Sequence, residues 1–332
     1  MSYPKIELHV HLEGTIRPRT LIQIARRNDV PLPASTEEGL ADLYRYRDFT
    51  QFLSVWATTT SVLEHEADFR QVVVDYAREA AAHGAVYVEG IFTPAEPVLR
   101  GAGWDEVFTG YCDGAQQARE ETGVEVRLTP DIPRGFPLEY AELTARHAIR
   151  YRERGVVALG IGGSEEIPPE RFERAFAVGR AGGLASVPHA GEWAGARSVW
   201  GALESLRPDR IRHGVRAVED GDLVSELAAR RVVLDVCLIS NVVTHVYGSL
   251  AEHPLPRLMA AGITCSLSTD DPAMFGTDLS REYDAAAALG IDPERLYWAG
   301  VEGALCDEAT RSRLAEQGRA TDWSGFRAPV RE

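Results

Sequence analysis

Eight short apolar runs alternate with longer helical patterns along this chain, and that alternation restricts the fold more than any other feature. The runs occupy residues 6–10, 85–91, 124–129, 156–161, 184–188, 210–212, 232–237 and 263–268. Most are about five residues rich in Val, Ile, Leu and Ala, as expected of strands buried on both faces. Residues 66–82, 104–121, 138–153, 169–180, 196–206 and 220–229 carry the helical patterns between them. Gly84, Gly123, Gly155, Gly183 and Gly262 fall where a helix must stop before the next strand. Repeats of this kind make parallel βα units. Eight of them close most economically into an α/β fold of the (β/α)8 TIM barrel type, with residues 20–63 as a helical insertion after the first strand. The competitor is an open doubly wound sheet, whose G-x-G-x-x-G turn after the first strand is absent here.

A length of 332 residues suits one such barrel, expected over residues 1–320 with a C-terminal tail at 321–332. From Gly318 onward, through Pro329, the chain reads as a loose surface segment. The net charge of −15 comes without a long run of Lys and Arg, which argues against a nucleic-acid partner. The opening MSYPKIELHVHLEG lacks the basic start, apolar stretch and cleavage site of a signal peptide, and no apolar run reaches the length of a membrane span. Cys112, Cys237, Cys265 and Cys306 are scattered, with Cys237 and Cys265 inside apolar runs. Buried free thiols in a reducing compartment are the expectation, hence a cytoplasmic protein with no membrane partner.

His9 and His11 end the first strand two residues apart, so both imidazoles can face the barrel mouth. Alone, the pair reads equally well as one buried and one exposed histidine. His189 ends the fifth strand and Asp270 the eighth. In a barrel the carboxyl ends of all the strands surround one site. His9, His11, His189 and Asp270 would then offer three nitrogens and one oxygen to a single ion, a set that suits zinc with a position left open for water. Glu192, His213 and Asp271 belong to the same rim. Each has a plainer reading by itself: a capping carboxylate, a packed core histidine, and turn chemistry before Pro272. Jointly the plain readings fail, because all of these residues fall at strand ends.

The stretches ELHVHLEGTIRP, HAGE, RIRHG and SLSTDDPAMFG resemble the signature segments of the adenosine deaminase family of amidohydrolase barrels, in that family's order and spacing from residue 5 to about 280. The resemblance implies zinc-dependent hydrolytic deamination of a 6-aminopurine, with one ion per chain held by His9, His11, His189 and Asp270, and a small purine as the partner. It implies that Glu192 protonates ring N1, that His213 orients or deprotonates the attacking water, and that Asp270 shares in catalysis. It also implies that Asp271 faces N7, that the Gly163 N–H faces N3, and that Ser240 and Asn241, near the pocket, bind substrate. Attack at C6 pushes electrons onto N1, so an acid there stabilises the addition. Glu192 must therefore hold a proton when substrate binds, and its pKa should be raised by burial or neighbouring carboxylates. The His/Cys/Cys pattern of deaminases that edit flipped nucleic-acid bases is absent.

Two departures bear on substrate. Glu13 stands where the adenosine-specific branch has Asp against the ribose 5'-hydroxyl, and Gly160–Glu165 reads Gly-Ile-Gly-Gly-Ser-Glu where that branch has Asp-Leu-Ala-Gly-Asp-Glu. Glu13 is therefore expected to bind substrate and set the preference at its 5' end. The favoured substrates are a nucleoside with an altered 5' end, such as 6-aminodeoxyfutalosine, or adenosine itself; free adenine is the alternative. An inactive nucleoside-binding barrel is the non-enzyme alternative, opposed by the full set of ligands and Glu192. The segment from Asp48 to Trp56 is similar to the family's gating helix over the sugar end.

Overall fold

A computed structural model describes residues 3–44 and 49–326. Its strands are β1 (Lys5–His11), β2 (Ala85–Phe92), β3 (Glu125–Pro133), β4 (Ala158–Gly162), β5 (Ala185–Ser186), β6 (His189–Ala190), β7 (Arg210–His213), β8 (Val233–Val236) and β9 (Cys265–Leu267). All the pairings are parallel, in the orders β1-β2-β3-β4-β5 and β6-β7-β8-β9. The two sheets form one closed barrel. The seam between β9 and β1 is joined by His11 N–H to Asp270 O at 2.8 Å and Asp270 N–H to His9 O at 3.1 Å. The same two bonds lock two site residues to the scaffold.

The expected fifth strand is split at Val187-Pro188. Proline donates no hydrogen bond, so the chain changes partners there. Val187 N–H still reaches Leu159 O at 2.9 Å, while Pro188 O accepts from Arg212 N–H at 3.0 Å. β3 runs four residues past the expected end, which places Asp131 inside the barrel rather than beyond it.

Helices cover the outside, including Glu66–Ala82 and Trp104–Thr122, and the hydrophobic core fills the layer between helices and strands. The five glycines expected to end helices all have φ between 75° and 100°, a region closed to most residues with a Cβ. Inside the barrel the filling is polar: Arg210, Arg212, Glu89, Asp131 and Asp235 are all buried there. The insertion after β1 forms helices Pro18–Arg27, Glu37–Ala41 and Phe49–Thr60. The last lies over the mouth, with Phe52 stacked on Phe275 at 5.4 Å; Asp48 lies outside the described residues.

The loose segment expected from Gly318 is not found in the described residues. Helix Glu308–Ala320 runs through a buried Gly318, and Trp323 is buried against Tyr3 and Tyr297, ring centroids 5.8 and 5.5 Å away. Its indole N–H bonds Gly318 O at 2.9 Å. Aromatic burial offsets the entropy of ordering this short extension. No described helix is long and apolar enough to cross a membrane.

Candidate active site

Four side chains from three strand ends converge at the mouth. His9 and His11 come from β1, His189 from β6, and Asp270 follows β9. His9 Nε2 lies 3.1 Å from His189 Nε2 and 3.2 Å from Asp270 Oδ1; His11 Nε2 lies 3.2 Å from His189 Nε2 and 3.4 Å from Asp270 Oδ1. A tetrahedral ion with ligands at about 2.0–2.1 Å needs donor atoms about 3.3–3.4 Å apart.

Hydrogen bonding at the other ring nitrogen fixes what faces inward. His9 Nδ1–H donates to Asp235 O at 3.3 Å, and His189 Nδ1–H to Ile161 O at 2.7 Å. Burial holds both imidazoles neutral, His9 down at about 3 and His189 well below its ordinary range. Each Nε2 therefore turns a bare lone pair toward the other. Two lone pairs 3.1 Å apart repel unless a cation sits between them. The four residues fit a metal ion, and together they form a candidate metal group.

Strained backbone sets the rim. His213 and Asp270 both adopt left-handed conformations, φ 60° and 66°, a cost characteristic of functional sites. Glu192 and His213 meet beside the cluster, with His213 Nε2 3.6 Å from Glu192 Oε2 and 3.7 Å from Asp270 Oδ2. Burial, then the charges of Asp270 and Glu165, push the Glu192 carboxyl well above its usual range. Burial and the neighbouring Asp270, Glu13 and Glu192 do the same to Asp271. Both carboxyl groups next to the metal group are thus biased toward their protonated forms, the direction that an acid at N1 and a donor at N7 would require.

A cavity of roughly 230 Å³ opens onto these groups. Glu192, His213, Asp271 and Gly163 line it, together with the ligands His11, His189 and Asp270. Phe52, Trp56, Phe136, Trp193 and Phe275 supply an aromatic wall, and none of the lining residues is Lys or Arg. A larger groove of about 640 Å³ runs between helices Pro18–Arg27 and Glu66–Ala82, where Arg17 pairs with Glu79; none of the metal-group residues lines it.

Three expected substrate contacts stand behind the cavity instead of lining it. Glu13 is buried and accepts from Thr93 N–H at 2.7 Å; Thr93 is the residue that faces the cavity. Ser240 Oγ–H donates to Asp270 Oδ2 at 2.7 Å, and Asn241 Nδ2 lies 3.3 Å from His213 Nδ1. These residues hold Thr93, Asp270 and His213, which line the cavity.

The sequence reading passed over several residues. Asp131 lies 3.3 Å from His189 Nδ1, and its place in β3 became visible only once the strand's true end was known. Glu165 accepts from the Gly191, Glu192 and Trp193 amides at 2.8–3.2 Å and so shapes the loop that carries Glu192. Gly14 is required by proximity, because a Cβ there would lie 1.9 Å from Asp271 Oδ1. Its signal was its place in the HVHLEG segment.

A polar barrel mouth with three histidines and an aspartate at metal spacing, beside a carboxyl whose pKa is raised, has the groups that a metal-dependent hydrolase requires. The family model described as adenosine deaminase matches residues 4–320. The chain is 53% identical over 330 residues to an aminodeoxyfutalosine deaminase from Acidothermus cellulolyticus, covering 97% of this chain and 93% of that protein. It is 41% identical to an adenine deaminase from Cupriavidus necator over 87% and 83% of the two chains. The crystal structure of adenine deaminase from Arthrobacter aurescens superposes with a TM-score of 0.90 at 29% identity, over 95% of this chain and 98% of that one. The chain belongs to the adenosine deaminase family and is a hydrolytic deaminase acting on C–N bonds.

Proposed function

We propose that this enzyme deaminates a 6-aminopurine nucleoside with an altered 5' end, of the aminodeoxyfutalosine type, using one zinc ion per chain held by His9, His11, His189 and Asp270. The observation that carries the chemistry is the Glu192 carboxyl, its pKa raised by burial, lining the same cavity as His11, His189 and Asp270 of the four-residue metal group. Three nitrogens and one oxygen at tetrahedral spacing suit zinc. When bound, the ion supplies the Lewis acidity that makes water a nucleophile near neutral pH.

The chain's own residues do the rest. As water's oxygen bonds to C6, the C6–N1 electrons move to N1, which takes the proton of Glu192. Asp271 donates to N7, and the Gly163 N–H faces N3. The ring is thereby oriented with C6 toward His213 and Asp270. The C6–nitrogen bond then breaks, leaving a 6-oxopurine and ammonia. Of the water's two hydrogens, one replaces the proton that Glu192 gave and the other completes the ammonia.

The altered 5' end is supported by the 53% identity to an aminodeoxyfutalosine deaminase over nearly the whole of both chains. The aromatic wall of the cavity suits a substrate with flat or apolar surface to bury. Free adenine is the second reading, favoured by the Cupriavidus relative and the Arthrobacter structure. A kcat/KM panel over adenine, adenosine, 5'-deoxyadenosine, 5'-methylthioadenosine and 6-aminodeoxyfutalosine tests it. The 6-aminodeoxyfutalosine value should exceed the others by about a hundredfold, as a site that leaves no buried group unpaired can achieve. A panel led by adenine overturns the nucleoside reading.

A further inference from the structure

Behind His213 runs a line of hydrogen bonds whose direction is set at its far end. Leu255 N–H points at His253 Nδ1, 3.2 Å away. A backbone N–H can only donate, so Nδ1 of His253 is bare. Neutral His253 therefore carries its proton on Nε2, which lies 3.1 Å from Asn241 Oδ1. That contact decides which way the Asn241 amide points, an orientation otherwise ambiguous. With Oδ1 taken by His253, Nδ2 donates to His213 Nδ1 at 3.3 Å. His213 Nδ1 must then be bare, and the proton of neutral His213 sits on Nε2, facing Glu192 and the cavity.

All three side chains are buried, so no water competes for these contacts. His253 contributes no group to the cavity lining or to the metal group. Burial also keeps it neutral, down at about 4, as the incoming Leu255 N–H requires. The opposite tautomer of His213 would set two N–H groups against each other. Flipping Asn241 to relieve that clash would turn its Nδ2 hydrogens onto the His253 Nε2–H. One buried donor is left unpaired in either arrangement.

We infer that His253 is a positioning residue for the reaction: through Asn241 it fixes His213 in the tautomer that presents Nε2–H to the cavity. Resting His213 then gives a hydrogen bond to the oxygen attacking C6 and orients it. This assignment rests on the deaminase reading for its consequence but not for its test. In triad hydrolases, the wrong tautomer of a correctly placed histidine costs about ten-thousandfold in kcat.

The experiment is a long-range 1H–15N spectrum of the metal-loaded enzyme labelled at histidine, with His213 assigned by its disappearance in His213→Gln. Wild type should show His213 protonated at Nε2 and bare at Nδ1. Asn241→Asp keeps the shape but turns an acceptor toward His213 Nδ1. It should move the proton to Nδ1 and lower kcat at least a hundredfold, with KM altered less than about threefold. His253→Leu should leave His213 in mixed tautomers, and His253→Gln, which restores a donor to Asn241, should recover most of the wild-type spectrum and rate. Should Asn241→Asp fail to fold, the His253 pair decides alone. A wild-type proton on Nδ1, or an unchanged tautomer and rate in His253→Leu, overturns the inference. The spectra need no substrate, so a failed purine panel with the expected tautomer would sink only the proposed function.

Discussion

Near the floor of the barrel, Arg210 is buried among its own counter-charges. Its Nη2 donates to Glu89 at 2.6 Å, its Nε to Asp235 at 2.9 Å and its Nη1 to Gly303 O at 2.7 Å. Those acceptors are bonded further: Glu89 by Leu305 N–H at 2.6 Å and Asp235 by the Ser266 hydroxyl at 2.7 Å. At the mouth, on other strands of the same barrel, three imidazoles and Asp270 press acceptor atoms together at 3.1–3.4 Å. At the floor the chain supplies its own counter-charge. The mouth is neutralised only by what binds there. Stability and function are thereby assigned to different depths of one interior, and substitutions at the two levels should separate them.

The largest effect is expected at the mouth. His11→Ala should lose most of its metal, and activity should fall to on the order of a thousandth or less. Its metal-free form should unfold within about 1 kcal/mol of the metal-free parent, because the substitution relieves crowding rather than breaking a pair. Metal analysis, turnover and urea denaturation check these three outcomes. Wild-type metal content with wild-type turnover would break the assignment.

At the floor the order reverses. Arg210→Met should destabilise the metal-free protein by about 3–5 kcal/mol, since it strands Glu89 and Asp235 without a cation. The fraction that remains folded should still take up about one metal per chain. A loss below about 1 kcal/mol by urea denaturation would mean that the floor network is not what holds the barrel together.

The sequence made the mouth more legible than the floor. Strand ends in a barrel share one face, so His9, His11, His189 and Asp270 could be grouped without coordinates. Arg210 and Arg212 stood in the RIRHG segment, but sequence alone does not say which charges a buried arginine meets. Their partners Glu89, Asp131 and Asp235 lie on three other strands. The split at Val187-Pro188 was foreshadowed by the proline, whereas the left-handed turns at His213 and Asp270 had no glycine to announce them. Glu13, Ser240 and Asn241, expected to bind substrate, bond in the structure to residues that line the cavity and do not line it themselves. Spacing locates a residue along a strand end; it does not tell whether the side chain faces a ligand or the group behind it.

Between the two levels stands Asp271, which adjoins a metal-group residue without belonging to the group. Asp271→Ala should keep its metal and lose about a hundredfold in kcat/KM, the scale of one lost hydrogen-bonding group in a dry site. Metal analysis beside steady-state kinetics decides it. If this variant sheds metal as readily as Asp270→Ala, the two adjacent aspartates do not divide the work as their contacts suggest.

The smallest effect should come from Glu13, one layer behind the cavity. Its carboxylate bonds Thr93 N–H at 2.7 Å, and the Tyr111 hydroxyl and Asp271 are its other polar neighbours. Glu13→Asp withdraws the carboxylate by about 1.5 Å, one C–C bond. The Thr93 bond is then lost, and Thr93 lines the cavity. One such bond is worth about 1 kcal/mol, so kcat/KM should fall about fivefold to tenfold. Because Glu13 does not face the cavity, adenosine and its 5'-modified analogues should lose by the same factor, with metal content unchanged. The sequence had suggested instead that Glu13 sets the preference at the 5' end, so that the ratio between the two substrates would change. Measuring both substrates on the one variant chooses between them: a parallel loss places Glu13 in the supporting layer, and a changed ratio would mean that its carboxylate reaches the 5' end of the substrate after all.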